Sequence, residues 1–297
     1  MEARANIFGL GRIGIGSWTY PWAVGTVHDR RPKEPMSPGG LVRQAAELGV
    51  KVVQIADNIP LDELTIAELK DLRKLSQDHG VDLQVGTRGI DRSHLLKYLE
   101  IALQLEARLI RTMESRQGLP AAISEIEKNV SLVLPEFIQA GVSIALENYE
   151  AYSTSDLAHL INTINNPKLG ICLDVVNSLG ALESTDQILD NLASLTINLH
   201  LKDFTIQRLD HLMGFVFLGR PVGQGRLPLE QIFKRLAQFP HRPDAIVELW
   251  TPFTKTLEET LALESAWATE SLHYLGTLAT ETLDPRSLNP YSSSSKS

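Results

Sequence analysis

Short β-branched runs alternate with longer amphipathic stretches along almost the whole chain, as happens when parallel strands are joined by helical crossovers. Eight runs read as strands: RIGIGSW (12–18), VKVVQIA (50–56), VDLQVGT (81–87), ARLIRTM (107–113), VSIALEN (142–148), LGICLDV (169–175), LTINLHL (195–201) and DAIVELW (244–250). Apolar residues at helical spacing fill the intervals. LVRQAAELG carries Gly49 as a stop before the second strand, and LDELTIAELKDLRKLSQDHG and SHLLKYLEIALQLEA repeat the arrangement. ISEIEKNVSLVLPEFIQAG is the longest, and Pro135 is expected to bend or interrupt it. LEETLALESAWATESLHYL supplies a last helix after the eighth strand.

Eight strand-helix units in 297 residues predict a single-domain α/β protein, a (β/α)8 TIM barrel over residues 1–280, with a Ser- and Pro-rich flexible tail at 281–297. An open dinucleotide-binding sheet requires a glycine fingerprint between the first strand and its helix, whereas the glycines of GLGRIGIG run into the strand itself.

Composition narrows the function more than the fold. With 43% hydrophobic and 22% charged residues the chain can bury a sizeable core, and its net charge of −8 argues against a basic grip on nucleic acid. Cys172 is the single cysteine, so neither an intrachain disulfide nor a cysteine-rich zinc site is expected. No apolar run approaches the roughly 20 residues of a membrane span, and MEARANIFGLGR does not read as a signal peptide. A cytoplasmic setting without membrane or nucleic-acid partners is the expectation.

In a parallel barrel the C-terminal strand ends form the catalytic mouth. The fifth strand ends in Glu147, the sixth in Asp174, the seventh in His200 and the eighth in Glu248. Each occupies the same phase of its unit, with one long insertion before Glu248. Strands about 4.8 Å apart let such tips converge on one ion. Each residue alone has an ordinary structural explanation as a cap, an ion-pair partner or a buried histidine. As a set, three carboxylates and an imidazole suit one divalent metal ion, Mn²⁺, Mg²⁺ or Co²⁺, with Zn²⁺ also compatible.

The set, with ALEN, LDVVN, HLKD and IVEL around it, resembles the xylose isomerase-like TIM-barrel superfamily of sugar isomerases and epimerases, which also includes type 2 apurinic endonucleases. The resemblance runs from IGIGSWTY to VELW and takes in RPVGQGRLPLEQIFKRL. It implies that Glu147, Asp174, His200 and Glu248 bind the ion and that Glu147 and Glu248 double as acid/base groups. Strands one to four end GSWTY, QIAD, GTR and RTM, without the extra histidines of the endonucleases, which argues against DNA repair. Asn177 stands where ketose 3-epimerases usually carry a histidine, which departs from that branch.

Such a site acidifies a C–H beside a chelated carbonyl, and flanking glutamates shuttle the proton through an enediolate. The expected activity is therefore isomerisation or epimerisation of a ketose or sugar acid. A lyase, a dehydratase or a decarboxylase of the 3-oxo-isoapionate type, uses the same ligands, and a non-catalytic sugar-binding barrel is the third reading. The partner is a small sugar or sugar acid, with a homodimer or homotetramer as the expected assembly. Arg88 and Arg111 end the third and fourth strands and stand either as carboxylate-binding groups or as ion-pair partners across the barrel. Trp18, with Tyr20 and Trp22 beside it and Trp250 after Glu248, stands as a sugar-stacking face or as packing. Lys202 is a substrate-orienting candidate, Asn177 a substrate contact, Asp203 a turn cap or orienting group and His211 a surface residue. GRPVGQGRL reads either as a tight turn or as a phosphate loop.

Overall fold

Residues 9–114 and 120–281 are described by the computed structural model. All eight sequence-read strands are present: β1 Ile13–Gly16, β2 Val52–Ile55, β3 Asp82–Gly86, β4 Leu109–Thr112, β5 Ser143–Glu147, β6 Leu169–Asp174, β7 Thr196–Leu201 and, after the insertion described below, β10 Asp244–Val247. They close in the order β1-β10-β7-β6-β5-β4-β3-β2, every neighbouring pair parallel, so the fold is a single TIM barrel. The tail expected at 281–297 lies, beyond Glu281, outside the described residues.

The helices around the barrel include α1 Pro38–Glu47, α2 Ile66–Asp78, α3 Arg92–Gln104, α4 Ile123–Ala140, α5 Thr154–Ile164, α6 Val175–Leu179, α7 Thr185–Leu192, α8 Leu229–Leu236 and α9 Leu257–Glu281. Several begin at side-chain caps. Ser37, Ser153 and Ser184 each accept a first-turn N–H, and Thr65 and Glu68 form a reciprocal capping box on α2. Pro135 does not interrupt α4, which runs through it for 18 residues. Pro135 lies on the exposed face, where the carbonyl it leaves free is open to solvent, while Val133, Leu134 and Phe137 bury the opposite face. Leu41, Leu95, Phe137 and Leu160 fill the space between barrel and helices with less than 2% exposure.

The insertion after β7 is an antiparallel hairpin, β8 Asp203–Arg208 and β9 Phe215–Arg220, paired from Asp203 opposite Arg220 to Arg208 opposite Phe215. The sequence shows here only a long insertion, because TIQRLDHL and GFVFLGR do not alternate cleanly into a buried face. Among the described residues no helix is long and apolar enough to cross a membrane.

Candidate metal centre and active site

Glu147 and Asp174 are the last residues of β5 and β6, His200 is the penultimate residue of β7, and Glu248 follows the end of β10. Register aligns them: Asp174 pairs with His200, Glu147 with Cys172, and Ile246, two residues before Glu248, with His200. All four are buried. Oxygen and nitrogen atoms of Asp174, His200 and Glu248 lie within 4.8 Å of one another, as do ligand atoms of Glu147, Cys172 and His200. His200 Nδ1 stands 3.3 Å from Glu147 Oε1 and 3.3 Å from Glu248 Oε1 and has no hydrogen-bond partner. A nitrogen lone pair and carboxylate oxygens turned toward one point form the donor set of a hard divalent ion, and the residues fit one.

Two cations of the chain share this cluster. Arg111, at the end of β4, is fully buried and pairs its Nε with Glu147 Oε2; its terminal nitrogen donates to Asp57 Oδ1 at 3.1 Å and the Thr87 carbonyl at 3.2 Å. Lys202 Nζ lies 2.6 Å from Asp174 Oδ2, 3.0 Å from Glu248 Oε2 and 3.4 Å from Asn177 Oδ1. Three carboxylates therefore face two fixed cations and the ionisable ring of His200.

Electrostatics divide the roles of the acids. Burial opposes the charge on Glu147, yet Arg111, ahead of His200 and Lys202, holds its carboxyl well below the usual carboxylate range. Burial pushes Asp174 up against the pull of Lys202, with Glu147 and Glu248 adding to the rise. Burial disfavours the His200 imidazolium, but Cys172, Glu248 and Glu147 around it raise the histidine well above its ordinary value. Burial also raises the Cys172 thiol, against the pull of His200. Lys202, opposed by burial and raised by Asp174 and Glu248, stays protonated.

The strand ends also hold the acids in position. Asp174 Oδ1 accepts from the N–H groups of Val176 and Asn177 at the start of α6, at 3.0 and 3.1 Å, which turns Oδ2 toward Lys202. Asn148 brackets the Asp174 backbone, accepting its N–H at 2.8 Å and donating to its carbonyl at 2.6 Å. Asn177, read from sequence as a substrate contact, donates to Glu147 Oε1 at 3.0 Å and also lines the cavity.

Above the carboxylates opens a cavity of about 710 Å³ whose walls include Trp18, Arg88, Arg111, Tyr149, Lys202 and Trp250. Glu147 and Glu248 line it, whereas Asp174 and His200 are absent from its walls. Asp57 ties one wall together: it accepts from Arg88 Nε at 2.8 Å, from Arg111 and from Trp18 Nε1 at 3.3 Å. Arg88 and Arg111 are thus ion-pair partners and cavity residues at once. Asp57 was missed in the sequence, although QIAD ends the second strand on it. Trp22 lines the cavity and donates to the Thr251 carbonyl at 2.7 Å, whereas Tyr20 is buried core.

The remaining candidates separate cleanly. Asp203 is a turn cap: its carboxylate accepts from the N–H groups of Gly223, Gly225 and Leu227, each at 2.9 Å, and of Phe204 at 2.8 Å. Those amides of GRPVGQGRL are thereby committed to an internal anion, which corrects the phosphate-loop reading. Glycine is required at 225, where a Cβ would stand 2.1 Å from Asp203 Oδ1. His211 sits on the exposed hairpin tip, accepting from the Met213 N–H at 3.2 Å.

The fold is shared with known proteins. The solved structures it is similar to include a xylose isomerase-like TIM barrel protein from Mycobacterium smegmatis in complex with magnesium (TM-score 0.67, 15% identity, 92% of this chain and 97% of that one). Another is a D-psicose 3-epimerase in the presence of D-fructose (TM-score 0.69, 14% identity, 90% and 99% coverage). Among curated proteins the chain is 36% identical over 265 residues to a 3-oxo-isoapionate decarboxylase of Pectobacterium atrosepticum, covering 89% of this chain and 95% of that protein. Residues 42–270 match the family model for the xylose isomerase-like TIM barrel, and the chain belongs to that family.

Proposed function

We propose that the chain is a metal-dependent decarboxylase of a 3-keto sugar acid, holding its ion through Glu147, Asp174, His200 and Glu248. The observation that carries this reading is the trio Arg88, Arg111 and Lys202 on cavity walls that also hold Glu114, Glu147, Glu150 and Glu248, where a bound divalent ion would offset the carboxylates. An anionic substrate suits such walls better than a neutral ketose does. Likeness to the decarboxylase over nearly the whole of both chains supports it further.

When bound, a divalent ion draws electron density onto the substrate's ketone oxygen. Cleavage breaks the bond between the carboxylate and its neighbouring carbon. The electron pair moves to the ketone oxygen as an enolate, carbon dioxide leaves, and the carbon then takes up one proton. The carboxylate loses its charge while the enolate gains it, so groups near the enolate accelerate the reaction more than groups that merely grip the carboxylate. Lys202, with Nζ between Asp174 and Glu248, is placed for the first task and for supplying the proton; Arg88, on the half-exposed wall, is placed for the second.

Epimerisation is the second reading, favoured by the presence of both Glu147 and Glu248 on the cavity wall. It requires carboxylates that readily alternate between charged and protonated forms. Glu147 is poorly suited, being held as an anion by Arg111. Incubating the metal-loaded protein in deuterated water with 3-keto sugar acids and ketoses tests both. Release of carbon dioxide with one deuterium in the product supports decarboxylation. Deuterium exchange into ketoses with an intact carbon skeleton and no carbon dioxide from any keto acid overturns it in favour of the epimerase.

A further inference from the structure

The inside of this barrel is not packed with aliphatic layers alone. Gln54 of β2, Gln84 of β3 and Asn198 of β7 are buried and hydrogen-bonded to one another across it. Gln54 and Asn198 belong to strands that are not neighbours in the sheet, so their side chains meet inside the barrel. At its upper end the cluster reaches His200, whose Nε2 is 2.8 Å from Gln54 Oε1. At its lower end Gln84 Nε2 donates to Asp244 Oδ2 at 2.9 Å, and Asp244 is held by Arg12, 2.8 Å from the same oxygen.

The direction of every bond follows from the lower end. A carboxylate only accepts, so Asp244 draws the Gln84 NH₂ group toward itself and turns Gln84 Oε1 the other way. That oxygen accepts from Gln54 Nε2 at 3.1 Å and from Asn198 Nδ2 at 3.0 Å. Asn198 is oriented independently, because its Nδ2 also donates to the Asp244 backbone carbonyl at 3.3 Å. Its Oδ1 then accepts the other Gln54 hydrogen at 3.0 Å. With both amide hydrogens engaged, Gln54 presents only an acceptor to His200. Nε2 must therefore carry the proton, and in the neutral ring Nδ1 keeps the lone pair that faces Glu147 and Glu248.

We propose that Gln54 is a positioning residue that fixes the Nε2–H tautomer of His200 for metal ligation through Nδ1, and that its own orientation is dictated through Gln84 by Asp244 at the opposite end of the barrel. The inference rests on the metal-site reading above. It adds residues on β2 and β3, the far side of the barrel from the four ligands, which no strand-end pattern would select.

Zn²⁺ alone, titrated into the full-length metal-free protein, tests it. Long-range proton–nitrogen NMR of histidine-labelled, Zn²⁺-loaded protein should show His200 protonated at Nε2, and protonation at Nδ1 overturns the proposal. By calorimetry Gln54→Met should lose about ten- to a hundredfold in Zn²⁺ affinity, and Gln84→Met, which does not touch His200, should also weaken it. Unchanged affinity in a folded Gln54→Met protein overturns the proposal. The wild-type NMR pattern remains decisive if a variant does not fold. Absence of Zn²⁺, Mn²⁺ and Mg²⁺ uptake by the wild type would instead overturn the metal reading itself.

Discussion

Lys202 Nζ lies 2.6 Å from Asp174 Oδ2 and shares Asp174 with the cluster that fits a divalent ion. An ammonium so close competes for carboxylate charge that would otherwise serve the ion, yet it also provides a proton and a positive charge beside the substrate cavity. Lys202→Met should therefore bind Mn²⁺ at least as tightly as wild type while decarboxylation falls about a hundredfold or more. Calorimetry and carbon dioxide release measure the two effects. Parallel loss of both would assign Lys202 to holding the site together.

Glu147 and Arg111 form a fully buried ion pair. Glu147→Gln and Glu248→Gln should each abolish turnover, with metal loss in at least one. Glu147→Gln should also destabilise the fold by about 2 kcal/mol, because it removes the buried carboxylate from Arg111 Nε and leaves Asp57 to balance the guanidinium. Adding Arg111→Met should recover much of that stability without recovering activity, as read from urea unfolding.

His200 is raised above the ordinary histidine range in the metal-free cluster by Cys172, Glu248 and Glu147, which together outweigh its burial. Metal uptake must therefore displace a proton. Below the raised value affinity should weaken about tenfold for each unit of falling pH, and it should level off above it. Titrations in two buffers of different ionisation enthalpy should detect roughly one released proton.

Arg88 reaches Asp57 from a half-exposed wall of the cavity. Arg88→Met should raise KM for a keto sugar acid with a smaller change in kcat, since an interaction with the departing carboxylate is formed before the transition state. Steady-state kinetics showing a collapse in kcat at unchanged KM would place Arg88 in the chemical step.

Glu264 of α9 is buried and accepts from the Trp22 and Ala23 N–H groups at 2.8 and 3.0 Å, anchoring the turn that carries Trp22 to the cavity. Burial outweighs those bonds and pushes its carboxyl up to about 7. Between the unfolded value and 7 the folded protein binds more protons than the unfolded chain, so this group's contribution to stability falls as pH rises through that window. Urea unfolding from pH 4.5 to 7.5 should show a downward slope that flattens in Glu264→Gln.

The eight strands and the order of their helices were legible because each depends on a local pattern: β-branched runs, apolar residues at helical spacing and a glycine stop. Pro135 misled because a local rule takes no account of which helix face meets solvent. The hairpin 203–220 escaped because its faces are not cleanly apolar and polar. By phase along successive strands the sequence also determined which side chains reach the mouth, and Glu147, Asp174, His200 and Glu248 do converge there. Their surroundings were decided only in three dimensions. Lys202 between Asp174 and Glu248, Asp57 beneath Arg88 and Arg111, Asp203 filling the glycine loop, and Gln54 behind His200 are contacts between distant segments. Strand phase specifies the end and face on which a side chain emerges, but its partner is set by register, closure of the barrel and the balance of charge once water is excluded.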